Sequence, residues 1–453
     1  MIGTLRTIAE GEIEDIALEN MINAKLTQLV ATKNVRFKQY ANSDPAPLGY
    51  YSFCFIPSGF GKDKAVRFID KNFMPFLKDK ITKMIDRYKQ ELQSRLYAEA
   101  AQLETKARKE AEKLAEEQLR QVRPCNINIA DATFTALYYE AEKIEQIGYG
   151  AICIKLMELG DYIRDAVKGD GTAKELLPKL KDVSDGDFNP RLTRTDADRH
   201  EISGIATIGI FCCDFNSVRK EKNKEYLMEL LDGGMGRRSF VYFFDKNVQL
   251  NPIELDWKRE EKAYQNAKEI AIWLEDVFDK IPMNMVCEFS NEAKDLLNEF
   301  KKECKQQSKE LMQENELLAK AYGGAYWIVS KLSVTKAVIA EPTNNLISVK
   351  YVEQAIDFYR RIKPYLSMVI KEKEPDEVDK LRNFMLQWAK KASEPIKSGE
   401  IRKGIDHTNT NTWKSFKNEW LPYVLDWLEK EHNIIVRSYT GFGGNTEAWQ
   451  AVK

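Results

Sequence analysis

The sequence predicts an α/β protein: a parallel-sheet core with a long helical arm, an all-helical region after the core, and a small C-terminal unit of helices and a hairpin. Three observations lead there. Four apolar runs of strand length, near Ser52–Ile56, Gly148–Met157, Ile202–Cys213 and Phe240–Phe244, alternate with segments of helical period. Polar residues or glycines mark the carboxyl end or the entry of each run, a pattern that favours parallel strands covered on both faces. The first run breaks at Pro57-Ser58-Gly59-Phe60-Gly61-Lys62 into a helix start, the layout of a loop that cradles phosphates.

At 453 residues the chain exceeds what one core organises. Composition shifts divide it into an N-terminal helical region (1–40), the sheet core (41–250, with the arm at 78–123), a helical lid (251–370) and a terminal unit (376–453). Bases and acids nearly cancel, for a net charge of −1, so any nucleic-acid contact must come from local patches. The seven cysteines contain no C-x-x-C pair and several sit in apolar runs, which reads as buried thiols in a reducing cytoplasm. With only His200, His407 and His432, a His-rich metal site is excluded. The longest apolar run, around Ile205–Cys213, is too short to span a bilayer, and Met1–Arg6 lacks an apolar signal core. A cytoplasmic protein with no membrane partner is expected.

In chain order, residues 12–33 read as a helix with Ile13, Ile16, Ala17, Met21 and Leu26 on one side. After the first strand and its loop, residues 78–123 turn to Lys, Glu, Ala, Gln and Leu. Ile81, Ile85, Tyr88, Leu92 and Leu96 form a stripe that would reach roughly 60 Å as one straight helix, or fold into a hairpin. Asp131-Ala132-Thr133 begins a helix to about Ile144, with Asp131 as its cap. The second strand runs straight into Glu158-Leu159-Gly160, the third into Asp214-Phe215-Asn216, and Gly233–Arg238 precedes the fourth. Residues 257–365 are helical, with breaks at Pro282, Gly323-Gly324 and Pro342. Past the charged connector 371–379, helices carrying Val378, Leu381, Met385 and Trp388, then 399–405, then from about Thr412, precede a hairpin of Ile434–Tyr439 and Ala448–Val452. Three helices and a hairpin are the winged-helix arrangement.

These pieces suggest a nucleotide chemistry. Gly59 and Gly61 let backbone N–H groups point inward, and Lys62 reaches the terminal phosphates. The usual first glycine is Ile56, and the usual Mg²⁺-binding Ser/Thr is Asp63. Hydrolysis also needs an acid that holds the metal and a base that aligns water. The second strand ends in Met157-Glu158, so the glutamate is present and a thioether holds the aspartate position. Asp63 could supply the missing carboxylate, or it could simply repel phosphate. Asn216 or Asp214 sits where it could touch the γ-phosphate, or cap a turn. Arg237 and Arg238 could reach a nucleotide on an adjacent subunit, or be a plain exposed pair. Arg191, Arg194, Arg199 and His200 lie in the loop before the third strand and could hold a phosphate backbone in a ring's pore, while Arg402, Lys403, Lys414 and Lys417 on the terminal unit could meet phosphates. Interspersed acids make both segments equally readable as solvated surface. A glycine-rich turn without nucleotide would also satisfy the loop residues.

Together, Pro57–Lys62, the Asp131–Thr133 helix start, the strand ending at Glu158-Leu159-Gly160, the Asp185-Gly186 loop and Gly236-Arg237-Arg238-Ser239-Phe240 resemble helicase-like P-loop ATPases of phages and mobile elements. That family is often fused to, or encoded near, primase-polymerase modules, and is related in layout to superfamily-three helicases within the AAA+ group. The resemblance covers roughly residues 1–360. It implies an AAA+/RecA-like P-loop core, ATP and Mg²⁺ as cofactors, a ring, typically a hexamer, and movement on single-stranded or forked DNA in a host bacterium, with a primase or polymerase as possible partner. It assigns Lys62 to phosphate binding, Glu158 to water activation and Arg238 or Arg237 to a finger acting in trans. Asp63 and Met157 depart from its pattern. The leading expectation is therefore an ATP-dependent DNA helicase or translocase. A non-hydrolysing assembly protein, such as an origin-binding or loading scaffold, is the alternative, and a metabolic P-loop kinase fits the arm and terminal unit less well.

Overall fold

The computed structural model describes residues 1–371 apart from 41–42, 123–127, 131–132, 149, 170–172, 189–200, 219–220, 245–249 and 251. Of the remainder it describes 377–391, 395–404, 421–422, 424–425, 428–429, 434–439 and 448–452. The chain divides into two compact units, 1–371 and 372–453.

Helices α1 (Ile2–Ile8) and α2 (Asp15–Thr32) open the first unit, followed by β1 (Arg36–Lys38), β2 (Ala46–Pro47) and β3 (Tyr50–Phe55). Helix α3 (Lys62–Phe68) continues into a π turn (Ile69–Phe73), and α4 (Phe76–Ala101) and α5 (Thr105–Gln121) form a hairpin. Then come β4 (Asn128–Ile129), α6 (Phe134–Ile147), β5 (Ala151–Leu156), α7 (Leu159–Lys168), α8 (Ala173–Val183), β6 (Ala206–Cys213), α9 (Phe215–Val218), α10 (Glu221–Leu230) and β7 (Ser239–Phe243). The unit closes with α11 (Trp257–Lys280), β8 (Val286–Phe289), α12 (Asn291–Leu311), α13 (Glu316–Gly323), α14 (Ala325–Ala340), β9 (Leu346–Ile347) and α15 (Val349–Lys371).

Five strands make one parallel sheet in the order β4-β5-β6-β3-β7. Alternation along each strand sorts side chains between two helical layers. Tyr50, Cys54, Ile208, Ile210 and Cys212 join the layer built on α2, α14 and α15, whereas Tyr51, Phe53, Phe55 and Phe211 join the layer of α6, α7 and α8. Both faces are therefore buried, and β3 and β6 are apolar without a polar face. Gly209 lets the rings of Phe211 and Tyr51 close over the strand, because a Cβ there would collide with both. The chain leaves β3 for the far edge strand β4 but leaves β6 in the opposite direction, across β3 to β7. Ligands of open parallel sheets bind outside the carboxyl ends of the strands where the strand order reverses.

Several expectations are corrected. Residues 1–40 do not form a separate region: α2 lies on the sheet and is buried on every side, so that Asn20, Asn23, Lys25, Thr27 and Gln28 are all inside. Residues 251–370 are not all helical, since β8 and β9 extend β1 and β2 into a second sheet, β2-β1-β8-β9, centred on Phe37 against Phe289 and Trp327. Helix α6 is capped by Thr133, whose side chain accepts from Ala136 N–H at 3.1 Å, while Asp131 lies outside the described residues. The arm is a hairpin broken at 102–104, its longer helix about 39 Å by helical rise. Its base is fixed by Phe76, Leu77, Ile81 and Ile85 in the core and by Lys80 bonded to Glu275 and Asp279.

In the second unit, α16 (Glu377–Lys391), β10 (Ile396–Lys397) and α17 (Ser398–Gly404) precede β11 (Ile435–Tyr439) and β12 (Ala448–Val452). The strands pair antiparallel in the order β10-β12-β11 over a core of Leu381, Met385, Ile401, Leu421, Leu428 and Trp449.

Candidate functional site

The turn at 57–62 springs from the carboxyl end of β3, where Ile56 N–H still bonds to Cys213 O at 2.9 Å. Gly59 and Gly61 take φ of +91° and +75°, conformations that side-chain-bearing residues rarely adopt. A Cβ at Gly61 would meet Ala9 of the N-terminal segment at 3.7 Å, an ordinary contact, so its backbone conformation and not space is what favours glycine there. Phe60 anchors the turn by packing its ring against Phe244 at 4.9 Å. Pro57 and Gly61 are half-buried while Ser58 and Gly59 are exposed, so the turn's crest faces outward. Lys62 begins α3 and is 5% exposed, with its ammonium 3.9 Å from Glu158 Oε1.

Glu158 stands between β5 and α7 with its side chain 57% exposed. Met157 packs into the apolar layer of α2, so the position where an acid was expected serves packing. From β6, Asp214 accepts from Ser58 N–H at 3.3 Å, and its carbonyl accepts from the Ser217 hydroxyl at 2.6 Å. The turns after β5 and β6 touch so closely that a Cβ on Gly160 would collide with the Ser217 hydroxyl. Cys213 lies beneath them. Burial pushes its thiol up to about 12, with Lys62 and the Ser217 hydroxyl opposing, so it remains a neutral thiol. The structure thus brings together Ser58, Lys62, Glu158 and Asp214, from three strand ends, at one sheet edge. Asn216 is in α9 at the same edge, where only its backbone is described.

A charged cluster that sequence patterns did not flag braces this edge. Lys25, fully buried in α2, reaches Asp70 at 2.6 Å and bonds to Gln28 and to Asn128. Lys155 of β5 reaches the other Asp70 oxygen, also at 2.6 Å. Burial pushes the Asp70 carboxyl up, but the two lysines outweigh it and hold it below the usual range. Asp70 belongs to the helical segment that starts at Lys62, and Lys155 is three residues before Glu158, so this bridge fixes the two site residues relative to each other.

Asp63, in the first turn of α3, has one carboxylate oxygen buried with no hydrogen-bond partner among the described residues. An orphaned hard oxygen at that place fits Mg²⁺. Among the described residues no group of three His, Cys, Asp or Glu could hold a metal ion, so a cation here would depend on ligand oxygens as well.

The two arginines lie elsewhere. They precede β7, whose Ser239 is level with Tyr51 at the start of β3, so a five-residue strand, about 17 Å, separates them from the 57–62 turn. Neither acts at its own chain's turn. Arg238 is 16% exposed and bonds through Nε to Asp185 at 3.0 Å and through Nη1 to Gly234 O at 3.1 Å. Its guanidinium is thus engaged within its own chain. Arg237 is exposed, its stem lying against Gly324. Asp185 also lies 3.9 Å from Lys331 of α14, which is 5% exposed; burial lowers its ammonium to about 8 despite the acid.

Arg191, Arg194, Arg199 and His200 lie outside the described residues, although the ends of their loop are joined by the Phe188–Ile202 bridge. Lys414 and Lys417 are also outside them. Arg402 and Lys403 occupy the last turn of α17, half-buried and exposed respectively. No described helix is long and apolar enough to cross a membrane. No protein-family model matches the chain, and no curated protein matches it with significant similarity.

Proposed function

We propose that the chain is a P-loop ATPase that acts as an ATP-dependent DNA helicase or translocase of phage or mobile-element type, working as a ring. The observation that carries this reading is the convergence at one carboxyl edge of a two-glycine turn after β3, a buried lysine at its end and, after β5, a glutamate 3.9 Å from that lysine. A triphosphate laid on the turn would take N–H groups of 58–62 and the Lys62 ammonium. Asp214 now holds one of those N–H groups and would yield it to the phosphate. Glu158, released from Lys62 by the same exchange, is exposed and placed to accept a proton from water at the γ-phosphate. Mg²⁺ held through Asp63 would supply charge neutralisation on the phosphate oxygens. Arg237, exposed at the opposite edge, is the residue offered to a neighbouring subunit's nucleotide.

The terminal unit, with helices over a three-stranded antiparallel sheet, supports a winged helix as the accessory DNA or protein contact. The displacement of aspartate by Met157 favours a second reading, a nucleotide-binding scaffold that does not turn over. Steady-state ATP turnover with and without single-stranded DNA separates the two. DNA-stimulated turnover that Lys62→Ala abolishes supports the motor, and its absence in the unaltered protein leaves the scaffold.

A further inference from the structure

A second candidate site lies on the other sheet of the first unit, formed by the segment after β1 and the stripe Lys294, Leu297, Asn298 and Lys301 of α12. These residues, with Tyr40 and Tyr326, line a cavity of about 210 Å³. Its lining has three properties that packing alone does not require. Tyr40 is 50% exposed, yet its backbone is held by the Ser43 hydroxyl, which accepts from its N–H and donates to its carbonyl. Lys301 lies over the Tyr326 ring, 4.6 Å from its centroid, and meets Tyr40 at its tip, donating to the hydroxyl at 2.7 Å. Among the described residues neither Lys294 nor Lys301 has a carboxylate partner.

The helix explains the last point. Residues 294, 297, 298 and 301 recur at spacings of three and four and share a face, whereas Glu292, Asp295 and Glu299 fall on the solvated side. Two uncompensated ammonium groups thus flank an apolar floor beside a fixed, half-exposed aromatic ring. The chemistry that satisfies all three features is a planar aromatic group carrying a phosphate. The volume is below the roughly 300 Å³ of drug-sized sites, which suits a single small unit.

We propose that this cavity binds one nucleotide unit, its base stacked on Tyr40 and its phosphate between Lys294 and Lys301. The unit can come from single-stranded DNA or from a free nucleotide, and the test separates these sources. Fluorescence anisotropy of a labelled oligothymidylate is measured against the full chain over a salt series, with free thymidine monophosphate as competitor. Lys294→Gln with Lys301→Gln should weaken binding about tenfold or more and reduce the salt slope by roughly 0.7, the single-strand phosphate held between the two lysines. Tyr40→Ala should weaken it on the order of tenfold, whereas Tyr40→Phe keeps the ring and keeps the affinity. Monophosphate binding lost in the same variants, without oligonucleotide binding, assigns the site to a free nucleotide. Unchanged affinity for both probes in the double variant and in Tyr40→Ala overturns the proposal, as does failure of the unaltered protein to bind either. Failure of the ATP reading is distinguishable, because Lys62→Ala leaves oligonucleotide binding here intact.

Discussion

Lys331 gives a stability prediction that the structure makes quantitative. Its ammonium is buried in α14 above the Trp327 ring, close to Asp185, and burial lowers its pKa from 10.5 to about 8. A depressed lysine pKa means that the folded protein releases this proton first, so between about pH 8 and 10.5 the unfolded chain binds more protons and stability rises with pH. Below that window both states are protonated and the full cost of the buried charge is present. For a folded value of about 8 the gain between pH 7 and 9.5 is about 2 kcal/mol. Lys331→Met removes the titrating group while Arg238 continues to pair Asp185, so it leaves no lone buried charge. Urea unfolding followed by tryptophan fluorescence, with Trp327 beside the site, should show the unaltered protein gaining about 2 kcal/mol on the variant across that range. The thiols and other lysines that titrate nearby are common to both proteins and cancel. Parallel stability curves would refute the assignment of a lowered pKa to Lys331.

The neighbouring arginines should separate by readout. Arg238→Ala strips one partner from a largely buried ion pair and should cost about 1–3 kcal/mol in a melting experiment. Arg237→Ala should leave stability within about 0.5 kcal/mol yet lower ATP turnover in the assembled protein, with turnover in a mixing series revealing action between subunits. For Asp63→Asn, calorimetric titration with ATP should show binding that no longer improves when Mg²⁺ is added. Equal or better Mg²⁺-dependent binding would mean that the carboxylate only repels phosphate.

Much of the frame was legible because its signals are local. The runs that became β3, β5, β6 and β7 are mostly apolar, as strands buried on both faces are, with Lys155 of β5 the charged exception, and the 57–62 turn announces itself by two glycines. The misses have a common physical origin in contacts between distant residues. Strand β4 has two residues, and β1 has three with both ends half-buried, so neither carries a readable period. Helix α2 buries polar residues on its remaining faces, where Asn20 bonds to the Tyr50 hydroxyl and Thr27 to Thr335, which the apolar spacing could not reveal. At the site, Lys62, Glu158 and Asp214 were each legible as strand-end residues. The bonds between Asp214 and Ser58, Arg238 and Asp185, and Asp70 and Lys155 were not, because they join segments brought together only by the sheet order.

The central claim is that the turn ending at Lys62 holds a triphosphate beside Glu158. Titration of a fluorescent ATP analogue against the unaltered protein, Lys62→Ala and Glu158→Gln tests it most directly. Lys62→Ala should lose at least about tenfold in affinity, the worth of a charge-assisted bond to phosphate, whereas Glu158→Gln frees Lys62 and should bind no more weakly than the unaltered protein. Equal affinity in Lys62→Ala, or no analogue binding by any of the three, would contradict it.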